Sequence, residues 1–199
     1  TTSVLPIVPP LISVIIPAWN EEKSLPLVLA DLPKDWVRQV IVCDNGSTDH
    51  TSEAAKRAGA IVVSQPERGY GNACLAGMCY LENLAPSEKP DIVVFLDGDY
   101  SDFPEELPKV VGPILNDDKD MVIGSRRLGG MESGAMTLPQ QFGNWLAPAM
   151  IRLFFGYRFS DLGPFRAIRW EKLKALGMQD KNYGWTVEMQ VRAAKMKLN

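Results

Sequence analysis

Several features that announce particular protein classes are missing from this chain. It has no basic excess. Its 21 Lys and Arg stand against 24 Asp and Glu, for a formal net charge of -3, which argues against a nucleic-acid binder. Only three cysteines are present, Cys43, Cys74 and Cys79, and they form neither a disulfide framework nor a zinc cluster. Cys43 sits in an apolar run and reads as a buried thiol acting as a small hydrophobe, so a reducing, cytoplasmic setting fits. No apolar stretch reaches the roughly 18 to 20 residues that span a bilayer. The opening TTSVLPIVPP lacks the basic region and apolar core of a signal peptide. A soluble protein is expected, at most peripheral on the cytoplasmic face of a membrane. Repeats, low-complexity tracts and linkers are also missing, so residues 1–199 are expected to form one domain.

What is present is an alternation. Short β-branched runs at 11–16, 37–43, 60–64, 91–96 and 120–124 read as strands, and segments at 21–32, 49–58, 70–84 and 104–116 read as helices. The first and fourth runs, LISVII and DIVVFL, are almost wholly apolar, as when helices cover both faces of a parallel sheet. Ser47 or Thr48 is placed to cap the second helix, Gly59 to end it, and Pro104 to open the fourth. This spacing predicts a doubly wound α/β sheet, mostly parallel. Further on, 138–154 repeats apolar residues at helical spacing, 165–170 reads as a strand and 185–197 as an amphipathic helix.

Ligands of such sheets bind outside the carboxyl ends of the strands, which directs attention to the loops there. The fourth strand ends in Asp97-Gly98-Asp99. Two hard carboxylates beside a glycine suit Mg²⁺ or Mn²⁺; the plainer reading is an acidic turn before the helix at Pro104. After the second strand, Asp44-Asn45-Gly46-Ser47-Thr48-Asp49 makes a tight turn, and Asp44 is open to a role in that turn or at a base edge or ribose hydroxyl. In Pro17-Ala18-Trp19-Asn20-Glu21, Trp19 offers a face for stacking on a base or packing on the sheet. In Glu67-Arg68-Gly69-Tyr70-Gly71, Arg68 and the backbone N–H groups of a helix start are able to meet phosphate.

The four loops follow the first four strands in order, and the joint pattern resembles the inverting glycosyltransferases of family 2 with the GT-A (Rossmann-like) fold. The resemblance runs from Ser13 to about Lys197. Gly124-Ser125-Arg126, Asp161-Leu162-Gly163-Pro164-Phe165-Arg166-Ala167 and Tyr183-Gly184-Trp185-Thr186-Val187-Glu188-Met189 are similar to the dolichyl-phosphate mannose and glucose synthases and their polyprenyl-phosphate relatives. It implies a nucleotide-sugar pocket at Pro17, Trp19, Glu21, Asp44, Arg68, Gly69, Asp97 and Gly98, with Asp97 and Asp99 holding the metal. Asn45 stands where the family usually has a second Asp, and Ser101 where some mannose synthases present a Gln ligand. Arg126 and Arg166 would meet the donor or the acceptor phosphate, and Glu188 would be an acceptor-side acid. Relatives commonly continue beyond the position of Asn199, so a compact member or one lacking a C-terminal extension is expected.

The implied reaction moves a hexose from a UDP-glucose or GDP-mannose type donor to a polyprenyl or dolichyl phosphate or another acceptor. A lipid phosphate is already ionised and needs no strong base; a sugar hydroxyl would need one, with Glu188 the candidate. Residues 128–137 read either as a lid over the donor or as an ordinary surface loop. The aromatic helix at 138–154 reads as core, or as a surface that docks on a bilayer. Two other functions fit the fold class. A nucleotidyltransferase making activated sugars would favour a basic, glycine-rich first loop, which this chain lacks; a non-catalytic nucleotide-sugar-binding module is the other.

Overall fold

The computed structural model describes residues 9–124 and 163–199. Strands β1 (Ile12–Ala18), β2 (Gln39–Asp44), β3 (Ile61–Ser64) and β4 (Ile92–Phe95) alternate with helices α1 (Leu25–Asp31), α2 (Thr51–Arg57) and α3 (Tyr70–Glu82). A 3-10 turn at Pro104–Glu106 leads into α4 (Leu107–Asn116), followed by β5 (Met121–Ile123). The described chain resumes before β6 (Arg166–Arg169), α5 (Trp170–Leu176) and α6 (Trp185–Lys195).

The strands form a six-stranded sheet in the order β3-β2-β1-β4-β6-β5. The pairs β1/β2, β2/β3 and β1/β4 are parallel. β6 is antiparallel to both β4 and β5, so it separates two strands that are neighbours in the predicted series. The alternation of each strand distributes its side chains between two cores. Val14, Ile16, Val42, Val94 and Ala167 pack with Leu25 and Val28 of α1 and Val111 of α4. Ile15, Ile41, Cys43, Phe95 and Ile168 pack with Cys74 of α3, Leu173 of α5 and Met189 of α6. Helices therefore cover both faces, as the near-continuous apolar strands require.

Three boundaries differ from the sequence reading. α1 begins at Leu25 rather than near Glu21, because the N–H groups of residues 20–22 are bound across to the next loop. α2 begins at Thr51, and Ser47 and Thr48 bond the neighbouring loop instead of capping it. A helix the sequence reading did not include, α5, follows β6 at once and takes Trp170, which that reading placed in the strand at 165–170. Gly59 does end α2, at a φ of +86° with its N–H on the Lys56 carbonyl.

α3 lies close against β1 and β2 because Gly77 faces them without a side chain. A Cβ there would sit 2.8 Å from Ile15 Cγ2 and 2.9 Å from Cys43 Sγ. Gly77→Ala gains about 1 kcal/mol of helix propensity but overpacks a filled core at about 1–3 kcal/mol. A net loss of stability is expected in urea unfolding, where substitution of an exposed helical glycine would give a gain.

Candidate active site

The strand order reverses between β1 and β4, so a crevice opens above their carboxyl ends. The loops after β1 and β2 are knitted together beside it. Asn20 adopts a left-handed φ of 58°. Its N–H donates to Ser47 Oγ at 3.0 Å, and its Oδ1 accepts from Thr48 N–H at 2.8 Å. Glu21 N–H donates to buried Thr51 Oγ1 at 2.8 Å, and Glu22 N–H to Asp49 Oδ2 at 3.2 Å. Burial pushes the Asp49 carboxyl up, but the Thr51 hydroxyl and the N–H groups of Glu22 and Thr51 outweigh it and hold the pKa below its usual value.

Asp44 takes the turn role that the sequence offered it, and Asn45 clamps the loop after β3. Asp44 accepts from Ser47 N–H at 2.9 Å and from the Ser52 hydroxyl, so its carboxylate closes its own turn, and the cavity is walled without it. Asn45 is buried, donates to the carbonyls of Gln65 at 3.0 Å and Glu67 at 2.7 Å, and accepts from Gly69 N–H at 2.8 Å. An Asp cannot make those two donations. Asn45→Asp is expected to lower stability by about 2–4 kcal/mol, since a buried charge would face two carbonyl oxygens; thermal or urea unfolding measures this.

The Gly-Tyr-Gly start of α3 also differs from expectation. A Cβ on Gly69 would lie 2.1 Å from the Lys181 carbonyl oxygen, and one on Gly71 2.0 Å from that of Asp180. Gly71 N–H donates to the Asn182 carbonyl and Asn72 N–H to that of Lys181. These helix-start N–H groups, expected at phosphate, are taken by the chain itself; the glycines admit the backbone of 180–182. Glu188 holds that segment in place. Its carboxylate accepts from the N–H groups of Gln179 and Asp180 at 2.8–3.1 Å and pairs with Arg192 Nε at 2.8 Å.

Burial raises the Glu188 pKa, but the Asp180 and Gln179 N–H groups and Arg192 more than reverse this and keep it below its usual value. A carboxylate held ionised in this way is a poor proton acceptor, and it anchors 179–182. Because the folded pKa is depressed, this stabilisation is complete above the unfolded value near 4.5 and is lost as pH falls through the folded one. Glu188→Gln should cost about 1–2 kcal/mol at pH 7. In urea titrations the gap between variant and parent should be full well above pH 4.5 and narrow as pH falls below that value.

The cavity between these walls has a volume of about 440 Å³. Pro17, Trp19 and Glu21 contribute from the β1 loop, Arg68 and Gly69 from the β3 loop, and Asp97, Gly98 and Asp99 from the end of β4. Trp19 is half-exposed, and the Arg68 guanidinium lies 4.3 Å from its ring centroid, a cation–π pair that makes one wall. Tyr70, Asn45 and Tyr183 line it as well. Nothing in the spacing of the sequence pointed to these three, since their place depends on packing between distant segments.

Asp97 and Asp99 lie on opposite sides of buried Gly98. Asp97 Oδ1 accepts from the Tyr70 hydroxyl at 2.9 Å. Burial, and then the Asp97 charge, push the Tyr70 pKa well up, with Arg166 opposing, so the phenol stays protonated and donates. Asp99 is exposed at the rim and accepts from Ser101 N–H at 2.9 Å. A Cβ on Gly98 would meet only ordinary contacts at 3.5–3.6 Å, so the protein itself does not demand glycine there. No group of three or more His, Cys, Asp or Glu converges among the described residues. Two carboxylates on an open wall fit Mg²⁺ or Mn²⁺, which complete their shells with water and phosphate oxygens.

Arg166 is buried and gives its guanidinium to the carbonyls of Gly163, Pro164 and Thr186. It ties the start of β6 to α6, and its charge is felt at Tyr70 and Cys74. Arg126, the segment 128–137 and the helix expected at 138–154 lie outside the described residues.

A mostly parallel sheet with an Asp-Gly-Asp turn at its switch point has the architecture of the GT-A glycosyltransferases. Residues 13–181 match the model of glycosyl transferase family 2, and the chain belongs to that family. An undecaprenyl-phosphate mannosyltransferase of Micrococcus luteus is 30% identical over 194 residues, covering 92% of this chain and 77% of that protein. A UDP-N-acetylglucosamine–dolichyl-phosphate N-acetylglucosaminyltransferase of Methanococcus voltae is 30% identical over 210 residues, covering 95% and 82%. Among solved structures, glucosyl-3-phosphoglycerate synthase of Mycobacterium tuberculosis, in complex with Mn²⁺, UDP and glucosyl-3-phosphoglycerate, superposes with a TM-score of 0.74 at 25% identity. That match covers 94% of this chain, which spans 66% of the synthase's length.

Proposed function

We propose that this glycosyltransferase moves a hexose, with inversion, from a UDP-glucose or GDP-mannose type donor to a polyprenyl or dolichyl phosphate at a membrane surface. The observation that carries the reading is the pair Asp97 and Asp99 at the end of β4, opening on a cavity whose facing wall is Trp19 and Arg68. Asp97 and Asp99 would hold Mg²⁺ or Mn²⁺, which supplies charge neutralisation for the departing nucleoside diphosphate. The Trp19 face, with Pro17 and Glu21, receives the nucleoside, and Arg68 is in reach of either the base or a phosphate.

The polyprenyl-phosphate relatives support the acceptor class, and the Mn²⁺- and UDP-bound synthase supports the donor class and metal. A second line of support is chemical. With Glu188 committed to main-chain N–H groups, an acceptor that arrives already ionised suits the site better than a hydroxyl needing a base. Catalysis then rests on positioning and electrostatic stabilisation, with Arg126 the candidate cation for bringing two phosphorylated reactants together. One domain spanning 1–199 is part of the same proposal.

Asp99→Ala should lower sugar transfer by at least about 10²-fold while thermal unfolding stays cooperative. The assay measures nucleoside diphosphate release with polyprenyl phosphate as acceptor. A thermal-shift panel of UDP- and GDP-sugars with and without Mn²⁺ selects the donor, because only a bound ligand raises apparent stability. Undiminished transfer by the variant, or pyrophosphate release from a nucleoside triphosphate, would overturn the reading.

A further inference from the structure

Among the described residues, Tyr70 links the backbone of 180–182 to the acidic turn. It is the first residue of α3, between two glycines whose missing side chains admit the backbone of 180–182. Gly71 and Asn72 N–H groups bond that backbone at 3.1 and 2.9 Å, and Gly69 N–H is fixed by Asn45 at 2.8 Å. The backbone that carries the ring is therefore fixed, and the ring packs against the core on that face of the sheet. Its hydroxyl donates to Asp97 Oδ1 at 2.9 Å, and Tyr70 and Asp97 both line the cavity.

A carboxylate's orientation about its Cβ–Cγ bond is set by the groups that bond its oxygens, and the Tyr70 hydroxyl holds one oxygen of Asp97. A neutral phenol is suited to this, because it donates one hydrogen bond and adds no positive charge to compete with a cation. We infer that Tyr70 is a positioning residue for Asp97: its hydroxyl fixes the carboxylate in the orientation that receives a divalent cation beside Asp99. Outer hydrogen bonds of this kind orient ligands before the metal arrives, and their loss typically weakens metal affinity by about 10–100-fold. The segment 179–182 enters the same chain of contacts, since Glu188 anchors it and it in turn seats the residues on either side of Tyr70.

The inference rests on the proposal that Asp97 and Asp99 hold the cation, and the test separates the two. Tyr70→Phe keeps the ring and removes only the hydroxyl. Binding of Mn²⁺ is followed by electron paramagnetic resonance, with the protein alone and with saturating UDP or GDP, for the parent, Tyr70→Phe and Asp97→Asn. Expected is a rise of about 10-fold or more in the Mn²⁺ dissociation constant of Tyr70→Phe. Nucleotide binding in EDTA should remain at the parent value, and the melting temperature should stay close to it. In transfer assays the half-saturating Mn²⁺ concentration should rise, with the rate recovering at high Mn²⁺.

Unchanged Mn²⁺ affinity in Tyr70→Phe, with affinity lost in Asp97→Asn, overturns the positioning role and leaves the metal site standing. Unchanged affinity in Asp97→Asn overturns the metal site itself. Nucleotide binding that falls in EDTA as much as Mn²⁺ binding falls would show a general loosening of the cavity, and would also overturn the inference.

Discussion

The parallel pairing of β1 with β4 is the constraint on which the rest of the site depends. Ile12 to Ile15 register with Ile92 to Phe95, all of them buried, with helices on both sides. A slip by one residue would exchange the two faces of a strand between the two cores, so the register is strongly held. It brings the loop at 17–22 beside the turn at 97–99, and the reversal of strand order at this pair leaves the crevice between them open. An aromatic wall and two carboxylates thus meet although about 80 residues separate them in the chain.

Around that crevice most polar groups serve the chain itself. Asn20, Asp44, Asn45, Asp49 and Thr51 form a lattice of side-chain to main-chain bonds that fixes the loops after β1, β2 and β3 with respect to one another. A buried polar group without a partner costs on the order of 1–3 kcal/mol, so loops rich in Asn, Asp, Ser and Thr satisfy one another before they meet a ligand. The same holds on the far side, where Arg166 and Glu188 are engaged with main-chain carbonyls and N–H groups. The groups presented to the cavity are Trp19 with Arg68, the carboxylates of Glu21, Asp97 and Asp99, Asn45 and the tyrosines. That division between scaffold and surface is what a preorganised site requires.

Much of the architecture was legible in the sequence. Apolar runs of the right length gave the strands of the parallel series, and the same runs implied helices on both faces, which the two cores realise. The residues after β1 and β4 were also legible, because a strand that ends in Pro-Ala-Trp or in Asp-Gly-Asp exposes those side chains at a known edge. Roles within loops were not. Asp44 and Asn45 are adjacent and chemically alike on paper, and only the position of the Gln65 and Glu67 carbonyls makes one a turn residue and the other a clamp. Gly69 and Gly71 carried the signature of a phosphate cradle, and the backbone that fills it comes from more than a hundred residues later.

The sequence by itself determined the fold class, the order of the loops and the place of the acidic turn, because these follow from local periodicity and from the direction of strands. The tertiary structure alone decided the insertion of β6 between β4 and β5, the bonding of Arg166 and Glu188 to main-chain groups, and the meeting of Tyr70 with Asp97. Each of these is a contact between segments far apart in the chain. A periodicity describes which face a residue occupies; it does not carry the identity of what will be packed against that face.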